Sequence, residues 1–156
     1  MSMKILLFLL LALPVYSQVN VNYDKFKDQT IATSETTHVE SLDITVKAMH
    51  QGQNAGDVKY YLVFRTSGKE WRYLNSHGLI FMADGERINL GNGFHDGDVK
   101  TTRYRVSVSE TMIYQIHRED LEKIANSTSL EMKLGANVAQ FGPKDKKGMR
   151  EMLEYK

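Results

Sequence analysis

Apolar and polar residues alternate with a period of two along most of this chain. Leu42, Ile44, Val46 and Ala48 alternate with Asp43, Thr45 and Lys47, the pattern of a strand with one face buried and the other solvated. Val58 to Thr66 is apolar on both faces, with Tyr60, Leu62 and Phe64 set against Tyr61 and Val63, which predicts a central strand covered on both sides. Gln51 to Asp57, rich in Gly and Asn, separates the two. Ser67-Gly68-Lys69 then turns the chain into a short strand predicted at Trp71 to Leu74, and Asn75 to Gly78 turns it again into Leu79 to Met82. Asp84-Gly85 lies between that run and Ile88 to Leu90; this dipeptide supplies the positive φ angles of a tight hairpin turn. Thr102, Tyr104, Val106 and Val108 alternate with Arg103, Arg105 and Ser107, which predicts another one-sided strand, and Thr111 to His117 continues the pattern with Met112, Tyr114 and Ile116. Leu130, Met132 and Leu134 lead through Gly135-Ala136-Asn137 into Val138 to Phe141.

Two helices interrupt this pattern. Over Arg118 to Asn126, Leu121, Ile124 and Ala125 fall at i, i+3 and i+4 and form one apolar stripe. Glu119 and Asp120 sit in its first turn, where the helix dipole favours anions. A second helix is expected to begin at Pro143, a favoured first helical position, with Met149, Met152 and Leu153 on one face. Gly148 weakens it by about 1 kcal/mol relative to alanine, so docking on the sheets must hold it. About eight or nine short strands with regular turns imply a mainly β fold, an antiparallel β-sandwich with one short inter-strand helix and a C-terminal helix. The first helix is read as the crossing from one sheet to the other. A small β-barrel is the alternative. The Gly-x-Trp that lipocalin barrels carry near their start is missing, since Trp71 follows Gly68-Lys69-Glu70 in mid-chain.

The first residues change the picture of where this fold works. Lys4 precedes the apolar run Ile5 to Leu13, Pro14 ends it, and Val15-Tyr16-Ser17 supplies the residues a signal peptidase accepts. The expectation is a signal peptide over residues 1–17, cleaved near Ser17/Gln18, and a single β-sandwich domain over residues 18–156. The apolar run falls short of the roughly 20 residues of a spanning helix, so no transmembrane anchor is expected and the protein is read as periplasmic or secreted. The chain has no cysteine, which excludes disulfides, thiol catalysis and thiolate metal sites. At roughly 140 residues the mature domain can bury about 70% of its unfolded surface, enough to fold without staples. Removing Lys4 leaves Lys and Arg equal in number to the 19 Asp and Glu. The basic excess of nucleic-acid binders is therefore missing, and no nucleic acid is expected as a partner.

Candidate chemistry is sparse. The histidines are His38, His50, His77, His95 and His117, and no two stand at i, i+4 on a helix as in a zincin. No Gly-x-Ser-x-Gly elbow occurs, and Gly91-x-Gly93 opens no helix, so neither a serine triad nor a dinucleotide site is assembled. Asn92 to Asp98 reads Asn-Gly-Phe-His-Asp-Gly-Asp; His95, Asp96 and Asp98 are the candidate metal ligands, in a loop able to offer oxygens to calcium. Asp-Gly-Asp is also an ordinary turn. Trp71 and Tyr73 share a face of the predicted strand and are the candidate aromatic binding residues, with a core position for Trp71 as the structural alternative. Arg103 and Arg105, with Lys100 nearby, form one basic group; Lys144, Lys146, Lys147 and Arg150 crowd the last helix. Either group suits an anionic surface, and either also suits a solvated face that discourages edge-to-edge pairing.

Trp71 followed by Leu79 and Ala83-Asp84-Gly85, then Ile124-Ala125-Asn126, and Leu130-x-Met132-x-Leu134-Gly135 leading to Phe141 resemble a group of small exported bacterial β-sandwich proteins. The resemblance spans most of the mature chain and rests on turn and packing residues. It implies a bacterial exported β domain and brings no catalytic residue with it. The expectation is a non-enzymatic binding or envelope-associated module without a cofactor, whose partner is a protein or a polysaccharide of the cell envelope. The alternatives are a small-ligand carrier with an apolar cavity and a metal-dependent hydrolase built from loop histidines.

Overall fold

The computed structural model describes residues 19–54 and 56–155; the expected signal peptide and its cleavage point lie outside the described residues. The chain folds into two antiparallel sheets and two helices, and the sheets do not close into a barrel. The strands are β1 (Asn20–Asp24), β2 (Gln29–Thr33), β3 (Thr37–Val39), β4 (Leu42–Gln51), β5 (Lys59–Gly68), β6 (Gly78–Ala83), β7 (Glu86–Asn92), β8 (Phe94–Thr102), β9 (Arg105–Ile116), β10 (Leu130–Leu134) and β11 (Asn137–Phe141). The helices are α1 (Arg118–Asn126), between β9 and β10, and α2 (Lys147–Glu154) at the end. The larger sheet has the order β1-β2-β4-β5-β9-β8, and β3 shares one edge of β4 with β2. The smaller sheet has the order β11-β10-β6-β7.

One apolar cluster lies between these layers. Ile44, Val46, Leu62, Phe64, Met112 and Tyr114 from the larger sheet meet Leu79, Phe81, Leu130, Met132 and Leu134 from the smaller, the interdigitated inner faces expected of a sandwich. Leu121, Ile124 and Ala125 of α1 and Met149 and Met152 of α2 complete the cluster. The crossing predicted for residues 118–126 is present: α1 leaves β9 of the larger sheet and delivers the chain to β10 of the smaller.

Three predicted elements differ. Trp71 to Leu74 forms no strand and runs as a bent loop, because it pairs with neither sheet and is held by side chains instead. The alternation over Thr102 to Val108 is broken by a two-residue turn at Arg103-Tyr104, where Thr102 pairs with Arg105. The last helix starts at Lys147, and Pro143 lies in the turns before it. Asn92 to Asp98, read as a loop, enters β8 at Phe94. No strand is predicted over β1, β2 or β3, although Val19, Val21 and Tyr23 alternate with Asn20, Asn22 and Asp24 in the first; the other two are short and mainly polar.

The Asp84-Gly85 turn forms as predicted, with φ of 49° and 88° between Ala83 and Glu86 of the β6–β7 hairpin. Its aspartate also ties the turn to the chain leaving α1. Its carboxylate accepts the backbone N–H of Thr128 at 3.0 Å and of Ser129 at 2.8 Å, and the Asp84 N–H donates to the Ser129 carbonyl. The two backbone donors hold the Asp84 carboxyl below the usual carboxylate range. The folded chain therefore keeps this charge to lower pH than the unfolded chain does. The resulting stabilisation is present above the ordinary carboxylate pKa of about 4 and is lost as pH falls through the depressed folded value. Asp84→Asn keeps a residue that tolerates positive φ. It should lower Tm at pH 7 and approach wild type near pH 2, followed by circular dichroism melts; an equal loss at both pH values would show that the charge is irrelevant.

Candidate functional site

The site grows from one buried carboxylate. Glu110 lies on the inward face of β9 between Val108 and Met112, and is 2% exposed. A carboxylate taken out of water needs donors around it, and the loop joining β5 to β6 supplies them. The backbone N–H of Arg72 donates to Glu110 Oε2 at 2.8 Å and that of Tyr73 donates to Oε1 at 2.9 Å. His95 of β8 brings Nε2 within 3.1 Å of the same Oε1.

Side chains on both sheets secure the rest of this loop. Tyr73 is buried, and the Asn137 side-chain amide, in the β10–β11 hairpin, donates to its hydroxyl at 2.9 Å. The Tyr114 hydroxyl donates to the His77 carbonyl. Burial pushes both phenols above the ordinary tyrosine range, so both stay protonated at neutral pH. Trp71 lies against Gly97 of β8: a β-carbon added there would fall 2.2 Å from Trp71 Cζ3 and 3.1 Å from the Ser109 carbonyl. Only glycine leaves room for the indole.

Two histidines meet beside this latch. His77 Nδ1 lies 3.1 Å from the Tyr73 carbonyl. Its ring stacks on that of His95, with centroids 5.3 Å apart and planes at 27°. Trp71 tilts against His95 as well, with ring centroids 6.1 Å apart and planes at 54°. The remaining histidines stand elsewhere. His38 pairs with Asp43 on the surface, His50 bonds the Gln51 carbonyl and the Tyr155 hydroxyl, and His117 precedes α1. His95 pairs in register with Met112, so His117, five residues along β9, is about 16 Å away by strand rise. His95, Asp96 and Asp98 do not converge either. Strand alternation sends His95 inward beside the core and puts Asp96 and Asp98 on the opposite, exposed face. Among the described residues, no three His, Asp, Glu or Cys side chains stand close enough to hold a metal together.

Beyond the latch, β8 and β9 run on as a free hairpin arm. Val108 is the last buried side chain of β9 toward the tip, and every residue from Gly97 to Val106 is exposed. Val99 opposes Val108 and Thr102 opposes Arg105, which carries the tip about 10 Å past the core by strand rise. Both faces of the arm meet solvent, yet they differ. Val99, Thr101 and Val106 continue the inward face, while Lys100 and Arg105 lie on the other. Tyr104 forms the tip at 89% exposure, with the Arg103 guanidinium 5.8 Å from its ring.

The structure thus packs Trp71, from the β5–β6 loop, against the base of the hairpin whose far end carries Arg103 and Arg105, and removes Tyr73 into the interior. Trp71, 38% exposed on Gly97, adjoins Val99 on the same face. The second basic group is used internally. Lys146 is buried and donates to the Ser127 carbonyl, and Arg150 donates to the Ala125 and Pro143 carbonyls. Lys147 faces Glu35 and Glu151. Among the described residues no ion pair engages Lys100, Arg103 or Arg105. The sequence did not single out Glu110, because its partners lie 15 or more positions away, and it did not pair His77 with the distant His95; an acidic residue at an inward strand position was the one available signal for Glu110. Comparison with protein-family models, curated proteins and solved structures finds no match.

Two substitutions examine the latch. Glu110→Gln loses the negative charge and one acceptor, leaving a loop N–H unpaired, and should cost about 2–3 kcal/mol in urea unfolding. A change below about 0.5 kcal/mol would mean the loop is held elsewhere. Gly97→Ala should expel the indole and shift the emission of the single tryptophan to the red; an unchanged spectrum would contradict the packing of Trp71 on β8.

Proposed function

We propose that this chain is an exported, non-enzymatic binding module of a bacterial cell envelope, and that the β8–β9 arm grips an acidic protein partner. The observation that carries this reading is the arm itself. Val99, Val106 and Tyr104 of the arm, with Trp71 of the β5–β6 loop packed at its base, give an aromatic and β-branched strip, and the same hairpin carries Lys100, Arg103 and Arg105, which no ion pair among the described residues engages. Protein interfaces concentrate their energy in Trp, Tyr and Arg, and a basic arm favours an acidic partner by steering encounter. The latch supports the same reading, because a rigid base lowers the ordering cost of binding. The expected signal peptide and the resemblance to exported bacterial β domains support the compartment. No helix among the described residues is long and apolar enough to cross a membrane.

A carrier reading has less support. Among the described residues the grooves, of about 250–480 Å³, lie open on the surface, including a mainly apolar one lined by Ile31, Met49, Val63 and Ile113, whereas carrier cavities bury most of their ligand.

Saturable binding of the purified protein to cell-envelope fractions tests the proposal. The triple variant Arg103→Ala, Tyr104→Ala, Arg105→Ala removes only exposed side chains and should keep the wild-type Tm. It should weaken binding at least about tenfold, matching the 1.4 kcal/mol or more of a hot spot, and raised salt should weaken wild-type binding. Binding unchanged by the triple variant would discard the arm. Binding that survives protease treatment of the envelope would discard the protein partner in favour of a polysaccharide.

A further inference from the structure

We infer that His77 and His95 form a two-histidine site for a late first-row divalent cation, copper(II) before zinc(II). This inference stands apart from the arm and its partner. It rests on which nitrogens of the two rings are already engaged. A carboxylate and a carbonyl only accept hydrogen bonds, so the ring nitrogen facing each must carry the proton. His95 Nε2 faces the Glu110 carboxylate at 3.1 Å, and His77 Nδ1 faces the Tyr73 carbonyl at 3.1 Å. In the neutral rings these contacts fix both tautomers, leaving a lone pair on His95 Nδ1 and another on His77 Nε2. No group among the described residues bonds either nitrogen.

This is the arrangement metal-binding imidazoles use. One nitrogen ligates, while the other donates to a carboxylate or a backbone carbonyl that fixes the ring and raises its basicity. Both kinds of acceptor occur here, one per ring. The stacked rings, 5.3 Å apart between centroids, place two such ligands side by side. One ion with bonds of about 2.0–2.1 Å needs its two nitrogens about 3–4 Å apart, so the two rings must turn their free nitrogens toward one another to share it. Glu110 is committed to the loop and to His95, so solvent completes the coordination sphere.

The contrast with the other histidines is chemical. His50 has both nitrogens engaged, by the Gln51 carbonyl and the Tyr155 hydroxyl. His38 stands with Asp43 on the open surface, and His117 has no histidine beside it. Imidazole ligands suit copper and zinc, and the general affinity order of divalent first-row ions puts copper(II) first.

Trp71 makes the site readable, because its indole lies 6.1 Å from the His95 ring and paramagnetic copper(II) quenches a nearby fluorophore. Titration of the wild-type chain with copper(II) chloride should give saturable 1:1 quenching, with zinc(II) competing more weakly. His77→Asn and His95→Asn should each raise the copper Kd at least about tenfold, the loss typical of disturbing even an outer partner of a metal site, while His38→Asn leaves it unchanged. Pulsed electron paramagnetic resonance of the wild-type complex, which needs no variant to fold, should show coupling to two imidazoles. The inference is overturned by a spectrum with one imidazole or none, by quenching of equal Kd in a folded His77→Asn/His95→Asn double variant, or by no saturable quenching up to 1 mM copper (~1 mM being the Kd of a contact worth only about 4 kcal/mol).

Discussion

Glu110 is the constraint around which this molecule is arranged. An ionised carboxylate at an inward strand position is costly unless charge and hydrogen bonds compensate it, and the compensation comes from main-chain donors of a loop almost forty residues earlier in the chain. Satisfying Glu110 therefore fixes where the chain passes from the larger sheet to the smaller. With Arg72 and Tyr73 held by their N–H groups, Tyr73 points inward to Asn137, Trp71 falls on Gly97 and His77 comes to rest on His95. Three side chains of one loop thereby reach neighbours remote in sequence. The polar cluster also links three pieces, β9, β8 and the crossover, in a region where the two sheets would otherwise share only apolar contacts.

The arm follows from a mismatch of lengths. β9 has 12 residues and β6, at the centre of the facing sheet, has six, a difference of about 20 Å at the rise of a strand. The surplus at the N-terminal end of β9 has no layer above it, so the β8–β9 hairpin emerges with both faces wet. Its residues keep the alternation of a buried strand, Val99, Thr101 and Val106, beyond Val108, where the buried part of β9 ends. The apolar stripe thus outlasts the core and is left facing solvent. The basic residues near α2 teach the converse. Lys146 and Arg150 cap the C-terminal end of α1 through the carbonyls of Ser127 and Ala125, where the helix dipole favours cations, so that group serves packing while Arg103 and Arg105 stay available.

The legible parts of the fold were those in which the periodic pattern and the local turn chemistry agreed. β4, β5, β6, β7, β10 and β11 alternate or are fully apolar and end in Gly, Asn or Asp; α1 shows both its stripe and its acidic first turn, and its bounds were read from sequence alone. Of the strands that escaped notice, β1 and β8 have no covered face, while β2 and β3 bury only a few side chains. β8 is exposed along nearly its whole length, so no burial pattern was imposed on its sequence, and Asp96-Gly97-Asp98 imitated a turn. Trp71 and Tyr73 misled in the other direction. Their spacing of two is that of a strand face, yet the pair belongs to a loop whose geometry Glu110 dictates, and one of them is buried while the other is half exposed.

By itself the sequence determined the layer type, the helical crossing and the tight β6–β7 turn, because periodicity, dipole preference and the positive φ of Asp-Gly act over a few neighbouring residues. Tertiary structure alone decided which candidates became a surface or a cluster. The meeting of His77 with His95, the loss of Tyr73 to the interior, the opposite facing of His95 and Asp96, and the fate of the two basic groups all depend on the pairing of distant strands. Hydrogen-bond register across a sheet joins residues far apart in the chain, and no local pattern records that choice.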